Sequence, residues 1–377
     1  MNRSELLKEM IAHRRYLHMN PEIGHNEYNT QKYIINNIVK CGFEYQTINT
    51  STICDLIIDA SFETIALRAD IDALALQEEN ECEYASVNEG LMHACGHDGH
   101  TAIQLGVMKY LSENIEKLKV NIRFIFQCDE ENDGGAEEIC KAGYLDGITA
   151  IYGLHLENDL EVGEIGYIYG QMNAGGDEVD VTVTGKQAHG AYPHMGIDSI
   201  VCSANIIQAA QSIVSRTVDP LDSTVITIGS ISGPGTPNTI CGQTVMRGTI
   251  RNLNPEVRQT SVAQFIKQAE LIGEAMNCEV KVDYMPSYPP LVNNSACVDY
   301  VLQNAAKLGY TAREVKPSLG LEDFAYYVEQ VPGAFYNVGS KLKGDYRNAH
   351  SSTFDFDEEA LLVGALIQIE NCMQYGR

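Results

Sequence analysis

Hydrophobic positions in the first 170 residues follow two alternating periods, one typical of amphipathic helices and one typical of short buried strands. The helical period predicts helices over residues 6–17, 30–41, 98–108 and 135–144. Continuous apolar runs between them predict strands over residues 64–68, 120–126 and 150–154. Because strands that alternate with helices form parallel sheets covered by helices, this part of the chain predicts an α/β fold with a mostly parallel sheet.

The middle third follows a different pattern, in which polar and apolar residues alternate along residues 177–184 as in an antiparallel strand. We predict a helix, two strands, a second helix and a last strand after it, over residues 197–218, 224–231, 244–252, 255–276 and 278–284. This β-α-β-β-α-β order is the ferredoxin-like arrangement. Linker-like segments flank it at 173–176 and 286–290. We therefore expect residues 175–287 to form a domain inserted into a discontinuous first domain of residues 1–174 and 288–377.

The composition narrows the classes of partner. The chain has 377 residues, 44% of them hydrophobic, with a net charge of −25 and a pI of about 4.7. This acidity argues against a nucleic-acid partner and means that an anionic substrate would need a local cationic site.

No apolar run approaches the roughly 18 residues of a membrane span, so we expect neither a span nor a signal sequence. The eleven cysteines are scattered without a CxxC pair, which favours free thiols and the cytoplasm.

Residue types that bind metal ions lie at or just beyond the ends of several predicted strands. These candidates are Asp70 and Asp72, Cys95 and His97, Glu130 and Glu131, and His155. In open α/β sheets, ligands bind at the carboxyl ends of the strands. Each candidate alone has a plain structural explanation: a lone Cys is usually a small buried hydrophobe, a lone His a satisfied polar group, and a Glu pair a solvated surface. Their coincidence at one edge of the sheet favours a site for borderline-soft divalent metals.

The Glu130–Glu131 pair suits a hydrolytic reaction. In a turn, two neighbouring carboxylates can flank one site, so that one binds metal and the other takes a proton from the attacking water. Asp70 could lie behind a ligand and orient it.

Motifs along nearly the whole chain resemble those of the M20 metallopeptidase and amidohydrolase family. The similarity is to the branch of hippurate hydrolases, N-acyl-L-amino acid amidohydrolases, auxin-conjugate hydrolases and N-acetyldiaminopimelate deacetylases. The motifs are HRRYLHMNPEIG (13–24), LRADIDAL (67–74), MHACGHDGHTA (92–102), FQCDEENDGGAEE (126–138), GLH (153–155), GKQAHGAYPH (185–194), GTIR (248–251), GLEDFAYY (320–327) and NAHSSTFDFDEEAL (348–361).

The resemblance implies a role for each candidate in the first domain. Two divalent metal ions would be held by Cys95, His97, Glu131, His155 and His350. Cys95 would bridge them, in place of the Asp of other branches. Glu130 would be the general base and then the general acid. Asp70 or Asp72 would orient the site, and Asp70 matches the position usually given that role. The metals would be Zn²⁺ or Mn²⁺, with Co²⁺ and Ni²⁺ as alternatives.

For the inserted domain, the resemblance implies a lid or dimerisation role within a homodimer. His189 would polarise the substrate carbonyl, either within its own subunit or across the dimer, and Asn238 and Arg251 would hold the substrate carboxylate. The chain departs from the family at Cys128-Asp129, where a Pro-Ala usually precedes the Glu pair, at Ala75, which stands in place of a Pro, and around His350.

These features predict a dinuclear amidohydrolase that splits N-acyl amino acids into a carboxylate and a free amino acid. The nearest alternative is a dipeptidase or aminopeptidase that uses the same metal site. A catalytically silent protein that captures small carboxylates would not need Glu130 together with all five ligands. A phosphoesterase is disfavoured because no basic phosphate cradle lies near the ligands.

Overall fold

The computed structural model of the protein describes residues 1–376. Its α-helices are α1 Arg3–Met19, α2 Tyr28–Lys40, α3 His97–Ser112, α4 Ala136–Lys141, α5 Ser199–Ser212, α6 Pro255–Ala275, α7 Ser295–Lys307, α8 Ala325–Gln330 and α9 Glu359–Gln374. Its strands are β1 Tyr45–Ile48, β2 Ser51–Leu56, β3 Thr64–Asp70, β4 Asn121–Gln127, β5 Ile148–Glu157, β6 Glu164–Tyr167, β7 Gly170–Asn173, β8 Gly175–Thr184, β9 Ala188–His189, β10 Thr224–Ser232, β11 Thr239–Ile240, β12 Gln243–Asn252, β13 Glu279–Pro286, β14 Leu291–Asn293, β15 Thr311–Glu314 and β16 Gly333–Gly339.

The described chain divides into two compact units. The first comprises Met1–Gly170, Val292–Lys316 and the chain from Asp323 onward, and the second comprises Gln171–Leu291 and Pro317–Glu322. The limits expected from the sequence, 174/175 and 287/288, both fall inside the second unit. That unit also takes in residues 317–322, which the sequence pattern did not assign to it.

An eight-stranded sheet forms the centre of the first unit, in the order β1-β2-β4-β3-β5-β16-β6-β15. Strands β4, β3, β5 and β16 pair in parallel, whereas β2 and β6 join the sheet in antiparallel pairings. Strand β3 is buried from Ile65 to Asp70, as expected for a parallel strand covered on both faces. The predicted α/β fold with a mostly parallel sheet is confirmed.

Helices α1, α3 and α9 pack together against this sheet. Leu105 of α3 and Ile367 of α9 are among the fully buried residues of the same apolar core as Ile65 and Phe124 of the sheet. In the first turns of α3, Thr101 Oγ1 donates to the carbonyl oxygen of Asp70, the last residue of β3, at 2.9 Å. The start of α3 therefore lies at the carboxyl edge of the strands.

The second unit has the predicted β-α-β-β-α-β order, here β8-α5-β10-β12-α6-β13. Its four-stranded sheet is antiparallel, in the order β10-β12-β8-β13. Val179, Val181 and Val183 alternate on the face of β8 that packs with Ile206 of α5 and Phe265 of α6. The helix predicted over 197–218 is shorter as an α-helix, because a π-helical turn, Ile213–Thr217, follows Ser212.

No helix within residues 1–376 is long and apolar enough to cross a membrane.

Candidate metal centre

The five ligands expected from the sequence lie together in the first unit, at the carboxyl edge of its sheet. Three overlapping groups each bring their ligand atoms within 4.8 Å of one another. These groups are Cys95 with His97 and His155, Cys95 with Glu131 and His350, and His97 with Glu130 and Glu131. Because Cys95, His97 and Glu131 each belong to two groups, the donors surround one connected space rather than separate surface clusters.

Local backbone geometry presents Cys95 and His97 side by side. Gly96 between them is the N-cap of α3 and has a φ of 98°, in the left-handed region that favours glycine. The helix predicted to start at residue 98 begins one residue earlier, at His97, so Asp98 lies in its first turn. The reversal at Gly96 lets two residues in i, i+2 positions face the same space.

His350 comes to this space from a distant loop. Its backbone N–H donates to the carbonyl oxygen of Ala94 at 2.7 Å, which ties the loop to the segment before Cys95. Its Nε2 lies 3.1 Å from Glu131 Oε1. On the other side, Cys95 Sγ lies 3.4 Å from His155 Nε2.

The donor set fits divalent metal ions of the zinc and manganese type. One sulfur, three imidazole nitrogens and carboxylate oxygens are the ligands that such ions take in proteins. Glu131 Oε1 is buried, and although His350 Nε2 lies 3.1 Å away, the pair lacks the geometry of a hydrogen bond; a cation in this space would satisfy the oxygen. Burial, reinforced by the Glu131 charge, raises the pKa of Cys95 well above its usual value. A bound cation would reverse this effect and favour the thiolate.

His97 is held by Asp72. Its Nδ1 lies 3.1 Å from Asp72 Oδ1 and 3.1 Å from the Asp72 carbonyl oxygen. Both partners are acceptors, so Nδ1 carries the proton and Nε2 is left to face the ligand cluster. The other carboxylate oxygen of Asp72 accepts the backbone N–H of Glu131 at 3.0 Å. One carboxylate therefore orients two of the candidate ligands.

Asp70 makes different contacts from those of Asp72. Its Oδ1 lies 2.6 Å from His100 Nδ1, and its Oδ2 accepts from Arg68 at 2.7 Å. His100 in turn accepts the backbone N–H of Leu156 through Nε2 at 2.9 Å. Asp70 is 3.8 Å from His97 Nε2. Asp70, which matches the position usually given the orienting role, thus contacts His97 less closely than Asp72 does.

Glu130 is buried beside His97 and Glu131, with 8% of its surface exposed. A buried carboxylate next to a set of metal-type donors can exchange a proton with a water molecule held there.

The three residues expected to contact substrate all lie in the second unit. His189 of β9 pairs with Thr239 of β11, and the N–H of Gly190 donates to the carbonyl oxygen of Asn238 at 2.7 Å. His189 and Asn238 are therefore neighbours. Arg251 lies in β12, and its NH1 is buried without a hydrogen-bond partner.

Comparison with known proteins identifies the family. The family model for "Peptidase family M20/M25/M40" matches residues 66–370. The chain belongs to this family. It is 38% identical over 373 residues to the N-acetyl-L-cysteine deacetylase of Bacillus subtilis strain 168, covering 98% of this chain and 89% of that protein. It is 37% identical over 366 residues to the N-acetyldiaminopimelate deacetylase of Enterococcus faecalis, covering 95% of each.

Solved structures of other proteins agree with this fold. A Bacillus subtilis protein described as a dinuclear metal-binding peptidase of the M20 family superposes with a TM-score of 0.87 at 32% identity, covering 98% of both chains. The aminopeptidase PepT from Bacillus cereus has a TM-score of 0.76 at 18% identity, covering 98% of this chain and 99% of that one, and it shares the fold.

The sequence did not predict a buried charge network that lies next to the candidate metal ligands. Arg14 Nε donates to Asp98 Oδ2 at 2.9 Å, and His18 Nδ1 lies 2.8 Å from the same oxygen. His18 Nε2 lies 3.1 Å from Glu78. Asp98 follows His97, so this network holds the first turn of α3. Its signal was available in the sequence: Arg14 and His18 are one helical turn apart on the buried face of α1.

Proposed function

We propose that this protein is a metal-dependent amidohydrolase that cleaves N-acyl amino acids into a carboxylate and a free amino acid. The observation that carries the proposal is the convergence of Cys95, His97 and Glu131 with the buried carboxylate of Glu130. The deacetylase relatives, each similar to the chain over almost its whole length, support the substrate class.

In this proposal two divalent ions would be held by Cys95, His97, Glu131, His155 and His350. Zn²⁺ or Mn²⁺ are the first candidates, and Co²⁺ or Ni²⁺ the alternatives. When bound, the ions polarise the substrate carbonyl and lower the pKa of water at the site. The dinuclear relative of the same fold supports this stoichiometry.

Glu130 handles the proton in each half of the reaction. It first takes a proton from the attacking water, which leaves a nucleophile beside the substrate carbonyl carbon. It then gives that proton to the amide nitrogen as the C–N bond breaks, so the amine leaves in neutral form. Asp72 keeps His97 in the required tautomer throughout, and Asp70 holds His100 behind the ligands.

Residues of the second unit recognise the substrate. His189 polarises the carbonyl oxygen, and Asn238 and Arg251 bind the α-carboxylate. The unpartnered NH1 of Arg251 supports this role, because a buried guanidinium nitrogen without an acceptor is costly in the free protein. Burial lowers the pKa of Arg251, against the smaller opposing effects of Glu178 and Asp177. A planar guanidinium matches a carboxylate with two parallel hydrogen bonds.

We also propose that the protein is a cytoplasmic homodimer. All eleven cysteines are free, as in proteins of reducing compartments. The second unit exposes apolar side chains such as Leu221, Ile200 and Ile231, which a partner subunit would cover. Light scattering on the purified protein measures the mass of the assembly, and a monomer at micromolar concentration contradicts the dimer.

A substrate panel tests the proposed function. The protein is loaded separately with Zn²⁺, Mn²⁺, Co²⁺ or Ni²⁺ and incubated with N-acetyl amino acids, N-benzoyl amino acids and dipeptides. We expect faster release of amino acid from the N-acyl compounds than from the dipeptides. Faster dipeptide cleavage would assign the chain to the peptidase alternative. This alternative is worth testing because the chain is also 34% identical to a carboxypeptidase of Saccharolobus solfataricus.

The variant Glu130→Gln separates an enzyme from a silent binding protein. We expect its turnover to fall by about a thousandfold while its metal content stays unchanged, since general acid–base groups contribute about 10²–10⁴-fold. Glu137→Gln is the matched control, because Glu137 lies nearby in α4 and forms an exposed ion pair with Lys141. Equal activities of the two variants would contradict the enzymatic role of Glu130.

A further inference from the structure

The turn that carries Glu130 and Glu131 is closed by the side chain of the residue before them. Asp129 Oδ2 accepts the backbone N–H of Asp133 at 3.0 Å, and Oδ1 accepts from the amide of Asn132 at 3.0 Å. Asp129 itself has a φ of 50°, in the left-handed region that few residues other than glycine, Asn and Asp adopt readily. The Asp129 carboxylate at the start of the turn therefore holds the residues at its end, Asn132 and Asp133, in place.

A second set of contacts fastens this turn to the N-terminal part of the chain. The backbone N–H of Asp129 donates to Glu27 Oε1 at 2.9 Å, while Thr50 Oγ1 donates to Glu27 Oε2 at 2.5 Å. His25 Nε2 lies 3.1 Å from Asp129 Oδ2. Glu27 is fully buried and Asp129 is nearly so, with 0% and 1% exposure. Hydrogen bonds between buried groups of this kind hold the turn in one backbone geometry.

Gly24 leaves the room that the Asp129 carboxylate needs. A Cβ atom on Gly24 would lie 1.5 Å from Asp129 Oδ1 and 2.4 Å from its Cγ. No side chain can therefore be added at position 24 without moving Asp129. This close approach provides a way to disturb Asp129 from a different segment of the chain.

We propose that Asp129 is a positioning residue that aims the carboxylates of Glu130 and Glu131 into the metal centre. The inference rests on the proposed function, because it gives those two residues their roles. Adjacent side chains of an extended segment point to opposite sides, so both can serve one site only if the backbone turns between Asp129 and Asp133. None of the candidate ligand groups found among the described residues includes Asp129, so it acts through the turn.

The closing experiment compares three variants of the full-length protein. Asp129→Asn keeps an acceptor for the Asp133 N–H and tolerates the left-handed backbone, and Asn132 can turn its amide to match. Asp129→Gly removes the side chain and accepts the same φ without strain. Asp133→Asn is the matched control, since it removes one negative charge from the same turn at an exposed side chain.

The readouts are kcat, KM and the dissociation constant for Zn²⁺ measured by competition with a chelator. For Asp129→Gly we expect kcat to fall about 10- to 100-fold with KM unchanged within about threefold, because misplacement of about 1 Å has effects of this size. Zinc binding should weaken at least about tenfold, since Glu131 moves with the turn. Asp129→Asn and Asp133→Asn should stay within about threefold of the wild type in kcat and in zinc affinity.

Gly24→Ala provides an independent test, because it should weaken zinc binding in the wild-type background whether or not Asp129→Gly folds. Where Asp129→Gly folds, Gly24→Ala should have little further effect in that background, because the clash with the Asp129 carboxylate is absent. Unchanged zinc binding and kcat in both Asp129→Gly and Gly24→Ala would overturn the proposal. Equal losses in Asp129→Asn and Asp129→Gly would also overturn it, because charge rather than the turn would then be responsible. If wild-type protein cleaves no N-acyl amino acid, the proposed function fails, and zinc affinity alone decides the role of Asp129.

Discussion

The Asp72 carboxylate lies 3.1 Å from His97 Nδ1 and fixes the ring so that Nε2 faces the ligand cluster. Its second oxygen accepts the N–H of Glu131, so a single side chain supports an imidazole and a carboxylate of the proposed metal centre.

We expect Asp72→Ala to weaken Zn²⁺ binding about 10- to 100-fold, the usual effect of removing a group that orients a metal-bound histidine. Asp72→Asn should have an intermediate effect, because it keeps an acceptor for the His97 N–H but loses the charge. Chelator competition measures both affinities. Asp146→Asn, an exposed aspartate, is the control and should bind zinc like the wild type. Equal affinities for the Asp72 and Asp146 variants would exclude the proposed role.

The charge on His18 should make stability depend on pH. Burial lowers the pKa of His18, but its hydrogen bonds with Asp98 and Glu78 outweigh this effect and raise the pKa to about 9. The folded-state pKa lies above the unfolded value of 6.5, so the stabilisation is complete below pH 6.5 and is lost as the pH rises to about 9. A shift of this size corresponds to about 3 kcal/mol.

Chemical denaturation of the wild type and of His18→Gln measures this contribution. At pH 6.5 and below, the wild type should have the larger free energy of unfolding. This advantage over His18→Gln should decrease as the pH rises from 6.5 to about 9. A difference that stays constant over this range would show that His18 is not charged in the folded protein. Each comparison uses the same pH, so groups that titrate in both proteins cancel.

Oxidation of Cys95 should release metal together with activity. Only a thiolate binds a metal ion strongly, and conversion to sulfenic acid removes that ligand. We expect stoichiometric hydrogen peroxide to release zinc, followed with a coloured chelator, and a thiol reductant to restore binding. Cys82→Ser is the control, since Cys82 is also partly exposed but lies outside the ligand groups. Peroxide-driven zinc release that persists in a Cys95→Ser variant would assign the effect to another residue.

Arg251 should be required for substrates that carry a free α-carboxylate. We expect Arg251→Met to raise KM for an N-acetyl amino acid about 10- to 100-fold, since a hydrogen bond to a charged group contributes about 1.5–3 kcal/mol. The same variant should process the corresponding carboxamide as the wild type does. Arg247→Met is the matched control, because Arg247 lies on the same strand, is exposed and pairs with Asp180. Equal KM changes in both variants would contradict a specific carboxylate contact.

Long periodic segments of the fold were predictable. The predicted strand over 120–126 and the predicted helix over 255–276 correspond closely to β4 and α6, because a continuous apolar run and a proline at the first helical position are strong local signals. The short strands β1 and β2 had no such signal. Strand β1 is exposed along most of its length, so its residues show no apolar pattern that a reading of the chain could detect.

The candidate site was predictable in its residue types but not in its contacts. Cys95, His97, Glu131 and His155 are recognisable because metal-binding residue types follow successive elements of a parallel sheet. Asp129 was recognisable only as a departure from the family pattern. Its role in closing the turn depends on the space left by Gly24 and on Glu27, more than one hundred positions earlier in the chain.

The sequence by itself determined the order of the elements, the parallel sheet and the set of side chains able to bind metal, because periodicity and residue chemistry are local properties. Only the tertiary structure decided which carboxylate meets which imidazole. Asp70 is the last residue of β3, and the chain leaves the regular strand before Asp72, so spacing alone could not show which of them contacts His97. The contact with Asp72 arises because α3, β3 and the turn after β4 are brought together by the packing of the core.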